Sequence, residues 1–133
     1  MPHPLTACLL VGAGGMTGSL ARYGLSLAAQ RLSVDWPAGT LASNILGCFI
    51  IGLLAEAATH GETVSPEARL LLATGFCGGF TTLSSLMHES AHMLRAGDPL
   101  YATLYLAGTL AVSGGAFLGG LLLVRLLQPS AGA

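Results

Sequence analysis

Lysine is absent from this chain of 133 residues, and five arginines and six acidic residues supply all of its fixed charge. Charged side chains make up 8% of the chain, against about 25% in an ordinary soluble domain. So little charge excludes a disordered polar chain, a basic nucleic-acid binder and a globule with a solvated exterior. The three cysteines, Cys8, Cys48 and Cys77, lie inside apolar runs. They have neither the spacing of a disulfide framework nor that of a metal cluster, and read as small buried hydrophobes. A domain this small exposes much of its area to its surroundings, and here those surroundings are expected to be lipid.

What is present is apolar length. Hydrophobic residues make up 53% of the chain and 19 residues are glycine. Mean hydropathy is +0.72. Four stretches carry no Asp, Glu or Arg: Met1 to Ala21, Trp36 to Ala55, Leu70 to His88 and Pro99 to Val124. About 20 apolar residues cross a hydrocarbon core of about 30 Å. The expected fold is therefore all-α, with four membrane-spanning helices over about 5–30, 38–58, 67–95 and 100–127, in one domain covering 1–133. The runs lack the alternating pattern of a membrane barrel. Met1-Pro-His-Pro has no basic n-region, so the first run is expected to stay in place as a span.

Punctuation supports the boundaries. Trp36-Pro37 suits an interfacial anchor followed by a helix start, and Tyr23 and Tyr101 also fall near expected interfaces. Ser65-Pro66-Glu67 reads as an N-cap with proline at the first helical position. Between them lies a loop, Thr59 to Pro66, with His60, Gly61 and Glu62. Gly97-Asp98-Pro99 breaks the third span from the fourth, and the tail Gln128 to Ala133 is expected to fray. Glu56 and Glu89 are expected at interfaces, solvated or in salt bridges.

Arginine placement bears on topology. Arg69 and Arg125 fall on one side of a four-span chain, and Arg22, Arg31 and Arg95 on the other. Basic-residue bias sets orientation, and this chain has almost none. It is expected to insert both ways and to pair as an antiparallel dimer.

The third span has the least regular backbone. Gly75, Gly78 and Gly79 are followed by Thr81, Thr82, Ser84 and Ser85. The adjacent Gly78-Gly79 pair favours unwinding in mid-membrane, which bilayers permit only where the freed groups face protein, water or an ion. Gly14-x-x-x-Gly18 and Gly115-x-x-x-Gly119 read as small-residue packing seams. Asn44, in the middle of the second span, either bonds helices together or faces a polar path. In the fourth span Tyr101, Tyr105, Thr109 and Ser113 recur every four residues and share a face. That face either bonds within the bundle or lines a route.

No Asp or Glu lies in mid-span. Amides and hydroxyls donate hydrogen bonds without carrying charge, and together they suit a small dehydrated anion, with Arg22 drawing anions to the mouth. The residues thus read as a small anion channel or transporter.

Three runs carry a resemblance. Gly15-x-x-Gly18-x-x-x-Arg22-Tyr23, Gly39-Thr40-Leu41-x-x-Asn44-x-x-Gly47-x-Phe49 and Gly75-x-x-Gly78-Gly79-Phe80-Thr81-Thr82-x-Ser84 closely resemble the Fluc (CrcB) fluoride channels. The resemblance implies passive fluoride export through two pores of an antiparallel, dual-topology dimer in the cell membrane. It also implies a central structural Na⁺ held by backbone carbonyls, which fall here on Gly78 and Thr81. The pore amide falls on Asn44 and the vestibule arginine on Arg22. Ser84 and Ser85 belong to the implied hydroxyl track, and Tyr105, Thr109 and Ser113 join it more loosely. Glu89 matches the acid that ends the third motif. One departure stands out: where the family places two phenylalanines whose ring edges face fluoride, this chain has Leu83 and Leu86. Leucine offers no positive ring edge. Phe80 stands where the family commonly has leucine. Either the pore conducts differently, or the chain pairs with a paralogous, phenylalanine-bearing subunit rather than with itself.

Three other readings compete. His88-Glu89-Ser90-Ala91-His92 fits H-E-x-x-H, which on a helix sets two histidines on one face for zinc. His3 and His60 complete no such site. A small dual-topology multidrug exporter needs a carboxylate in the first span, and none is there. A membrane adaptor would use Asn44 and the glycine break for packing alone.

Overall fold

The computed structural model describes residues 2–32, 36–59 and 64–127. The expected loop residues His60, Gly61 and Glu62, the end of the link at Asp35 and the tail from Gln128 lie outside the described residues. Helix α1 spans Pro4–Leu32 and α2 spans Ala38–Ala57. The third span, Pro66–Arg95, is interrupted. Its first part, α3, covers residues 66–80, and its second, α4, is Leu83–Arg95. Helix α5 spans Pro99–Leu127. All four spans are long and apolar enough to cross a membrane.

Local chemistry sets the ends as expected. Ser65 caps α3, its hydroxyl accepting from Ala68 N at 3.1 Å with Pro66 behind it. After α4, Gly97 takes a left-handed φ of +90°. Its N–H and that of Asp98 then bond back to Leu94 O and Met93 O at 3.1 Å, closing the helix before Pro99.

The third span departs from a plain helix twice. Over Leu70–Cys77 its turn is widened to the π form, a distortion frequent at functional sites. It then breaks, one turn later than the glycines suggested. Gly78 is helical at φ −61° and ψ −37°. The extended residues are Thr81 (φ −86°, ψ 156°) and Thr82 (φ −154°, ψ 116°).

Glycine instead provides contact. A Cβ on Gly14 would strike Leu71 O, and one on Gly18 would strike Phe76 O. Seen from the other side, a Cβ on Gly79 would strike Gly15 O. Helices α1 and α3 thus cross backbone to backbone, and Gly79 is held by packing rather than free to unwind. The expected seam on the fourth span is displaced by one residue. Gly115 and Gly119 have nothing near a built Cβ, whereas Gly120 abuts Phe49 O and Gly52 abuts Phe117 O, locking α2 to α5. Most of the exposed large hydrophobic side chains are leucines, including Leu9, Leu20, Leu104 and Leu118.

Candidate functional site: a neutral polar groove at the helix break

Two side-chain stripes face the break. On α2, Thr40, Asn44 and Cys48 recur every four residues, and on α5 so do Tyr105, Thr109 and Ser113. Between them the 81–86 segment closes a groove of about 200 Å³, lined by Asn44, Cys48, Thr81, Thr82, Leu83, Leu86, Thr109, Leu110 and Ser113. None of these side chains carries charge.

Asn44 does the work of a peptide group. Its Oδ1 accepts from Thr82 N at 2.8 Å, and its Nδ2 donates to Thr82 O at 3.1 Å. Buried backbone groups left unpaired in a membrane are costly, and here both are answered by one side chain. One N–H of Nδ2 stays uncommitted. The residue that sequence reasoning left between helix glue and polar path is therefore placed for both.

The exchange frees two carbonyls. In an unbroken helix Thr82 N would bond Gly78 O, but it goes to Asn44. Likewise Ser85 N would bond Thr81 O, but it donates to the Thr82 hydroxyl at 3.1 Å, as an N-cap. Gly78 O and Thr81 O thus lack their helical donors. Gly78 is also exposed, with nothing within 4 Å of a built Cβ. An uncharged oxygen without its helical donor at an open surface, as at Gly78, suits a hard monovalent cation.

Other expected residues are distributed around the groove. The hydroxyls of Thr109 and Ser113 are buried and unpartnered, in a groove that also holds the Asn44 amide. Buried hydroxyls of this kind are ordinarily satisfied by water or an ion. Leu83 lines the groove at 61% exposure and Leu86 at 1%. Ser84 and Ser85 are not in the wall; their hydroxyls bond Thr82 Oγ1 at 3.2 and 3.1 Å. Phe80 is buried and stacked on Phe76 at 5.4 Å between centroids, outside the groove wall. Arg22 reaches the break itself, Nε donating to Gly79 O at 3.1 Å.

Tyr105 extends the α5 stripe to a carboxylate. Its hydroxyl donates to Glu89 Oε2 at 2.7 Å, while Thr40 Oγ1 donates to Glu89 Oε1 at 2.7 Å. Among the described residues Glu89 is therefore held by two hydroxyls and not by a salt bridge. Trp36 packs edge-on to Tyr105 at 6.3 Å. At the other end of the bundle Glu56 does form a salt bridge, with Arg125 Nε at 2.7 Å.

Sequence reasoning missed Thr40 and Cys48. Their four-residue spacing about Asn44 was the available signal. The bonding roles of Thr82 had no signal in the sequence, since they depend on where the helix breaks.

Comparison with known proteins gives the family. Residues 9–121 match the family model described as CrcB-like protein, Camphor Resistance (CrcB). The chain is 51% identical over 120 residues to the "Fluoride-specific ion channel FluC" of Chlorobaculum tepidum, covering 90% of this chain and 95% of that one. The protein of the same name from Chlorobium luteolum is 54% identical over 108 residues, 81% of this chain and 83% of that one. Its namesake from Rhizobium etli is 42% identical over 120 residues, 90% and 96% of the two chains. With most of its length matched by the family model, and by relatives of nearly equal extent, the chain belongs to the CrcB family.

Proposed function

We propose that this chain is a fluoride-specific channel, a multi-pass protein of the cell membrane that lets fluoride leave down its gradient and catalyses no reaction. The observation that carries the reading is the groove, in which the orphaned hydroxyls of Thr109 and Ser113 share a charge-free wall with the Asn44 amide. Such donors replace water around a small anion without trapping it, as fixed cations would. Relatives about half identical to this chain bear the name of that activity.

The reading extends to the assembly. Two opposed copies meet at their helix breaks, and Gly78 O and Thr81 O of each hold one structural Na⁺. The freed carbonyls and the open surface at Gly78 support this. Each copy contributes Asn44, Thr109 and Ser113 to a pore, with Tyr105 at the end of the stripe. Arg22 draws anions to the mouth and also steadies the break through Gly79. The Ser84 and Ser85 hydroxyls act through Thr82 rather than on the ion. Leu83 and Leu86 shape the groove without the ring edges of the family's phenylalanines, and the homodimer conducts without them. A heterodimer with a phenylalanine-bearing paralogue is the second arrangement, favoured by those two leucines.

The test is efflux from liposomes containing only this purified chain, preloaded with fluoride or with chloride. Fluoride-selective efflux is the expected result. Its absence from the pure chain, with recovery on adding a paralogous subunit, would replace the homodimer with the heterodimer. Its absence in both would end the channel reading.

A further inference from the structure

The H-E-x-x-H run has no part in the groove, yet its side chains are gathered at one place. His88 and His92, one turn apart on α4, both line a pocket of about 390 Å³ where α4 meets the start of α5 and Pro37. Glu89, Asp98 and Tyr101 complete its polar wall. These are the titratable groups facing the two imidazoles: Glu89 from their own helix, Asp98 from the turn before α5, and Tyr101 from α5. Both histidines are exposed, and among the described residues neither imidazole has a hydrogen-bond or ion-pair partner.

Glu89 is engaged elsewhere. Each of its oxygens already accepts a hydroxyl proton, one from Thr40 and one from Tyr105. Among the described residues no three His, Cys, Asp or Glu side chains converge as a closed metal centre would need. A catalytic zinc site, with three protein ligands and a general base, is thereby excluded from this pocket. Two unengaged imidazoles at i and i+4 remain. That pair chelates borderline divalent ions from one helix face, with water filling the other positions.

We propose that His88 and His92 form a two-imidazole site for a divalent transition-metal ion of the zinc or copper class, and that its occupancy slows fluoride passage. The second part rests on the channel reading. Glu89 shares the pocket wall with the histidines and fixes the Tyr105 hydroxyl, the outermost member of the stripe that continues to Thr109 and Ser113. A bound dication stands beside that carboxylate and pulls on it, and so acts on the stripe through the Tyr105 hydroxyl.

The experiment uses tag-free, full-length protein in detergent, titrated with Zn²⁺ by calorimetry and with Cu²⁺ by electron paramagnetic resonance. One ion per chain with micromolar affinity and hyperfine structure from two nitrogens is expected. His88→Gln and His92→Gln should each weaken binding at least tenfold. No binding, or binding unchanged in the double variant, overturns the site. In liposomes, saturating Zn²⁺ should cut fluoride efflux at least twofold, and the double variant should conduct normally and ignore the metal. Metal bound as expected with efflux unchanged overturns the effect on passage. A chain that shows no efflux even without metal breaks the channel reading instead, while binding is still read directly.

Discussion

The two parts of the third span are held by opposite means. Helix α3 lies on α1 through bare backbone: Gly14 and Gly18 press on Leu71 O and Phe76 O, leaving no room for any side chain. Helix α4 and the break before it are held by polar atoms, with Asn44 on Thr82 and with Thr40 and Tyr105 on Glu89. Close packing is intolerant and gives a fixed platform. Hydrogen bonds fix direction, and the Asn44 amide keeps one N–H to spare. The lesson is that the crossing is fixed by bare backbone, whereas the break beyond it is tied by polar side chains whose bonds stand in for the lost helical ones.

The comparison breaks most sharply at the crossing. Gly14→Leu should abolish folded protein altogether, because the added side chain meets backbone that cannot yield. Size-exclusion chromatography in detergent should show aggregate in place of a single peak. Next in size is Asn44→Leu. It orphans Thr82 N–H and C=O, at about 1–3 kcal/mol for each buried group. The protein should still assemble, melt at a lower temperature and lose at least tenfold in fluoride efflux. Thr82→Ala should cost about 1 kcal/mol, since it removes the cap on Ser85 N along with the weaker hydroxyl contacts to Ser84 and Ser85, and Thr82→Ser should restore it. Thermal unfolding followed by the fluorescence of the single tryptophan, Trp36, would read both changes. The smallest effect sharpens the contrast. Leu83 is 61% exposed, so Leu83→Phe should leave the melting temperature alone while raising efflux a few-fold through the new ring edge.

The four spans were legible because membrane insertion depends on length and apolarity, both of which are local properties of the chain. The caps at Ser65 and Gly97 were legible for the same reason. The break was misplaced by one turn because glycine's freedom says where a helix can open, not where it does. Gly79 is clamped against Gly15, and the opening falls at Thr81 and Thr82, where Asn44 and the Thr82 hydroxyl take over the amides. In the same way Gly115 and Gly119 fit the spacing of a seam, but the rotation of α5 turns Gly120 to the contact instead. Asn44, Thr109 and Ser113 stood out as polar residues in apolar surroundings. That the first of them is bonded and the other two are not is a matter of three dimensions.

A backbone completed by one side chain leaves position 44 with a vocabulary of a single word. Aspartate has the oxygen for Thr82 N–H but nothing to give Thr82 O, and glutamine carries the same amide one methylene too far. Serine and threonine fall short of bridging both. Random mutagenesis of this codon under fluoride stress should therefore return asparagine and nothing else, whereas Leu83, free on its outer side, should return many answers.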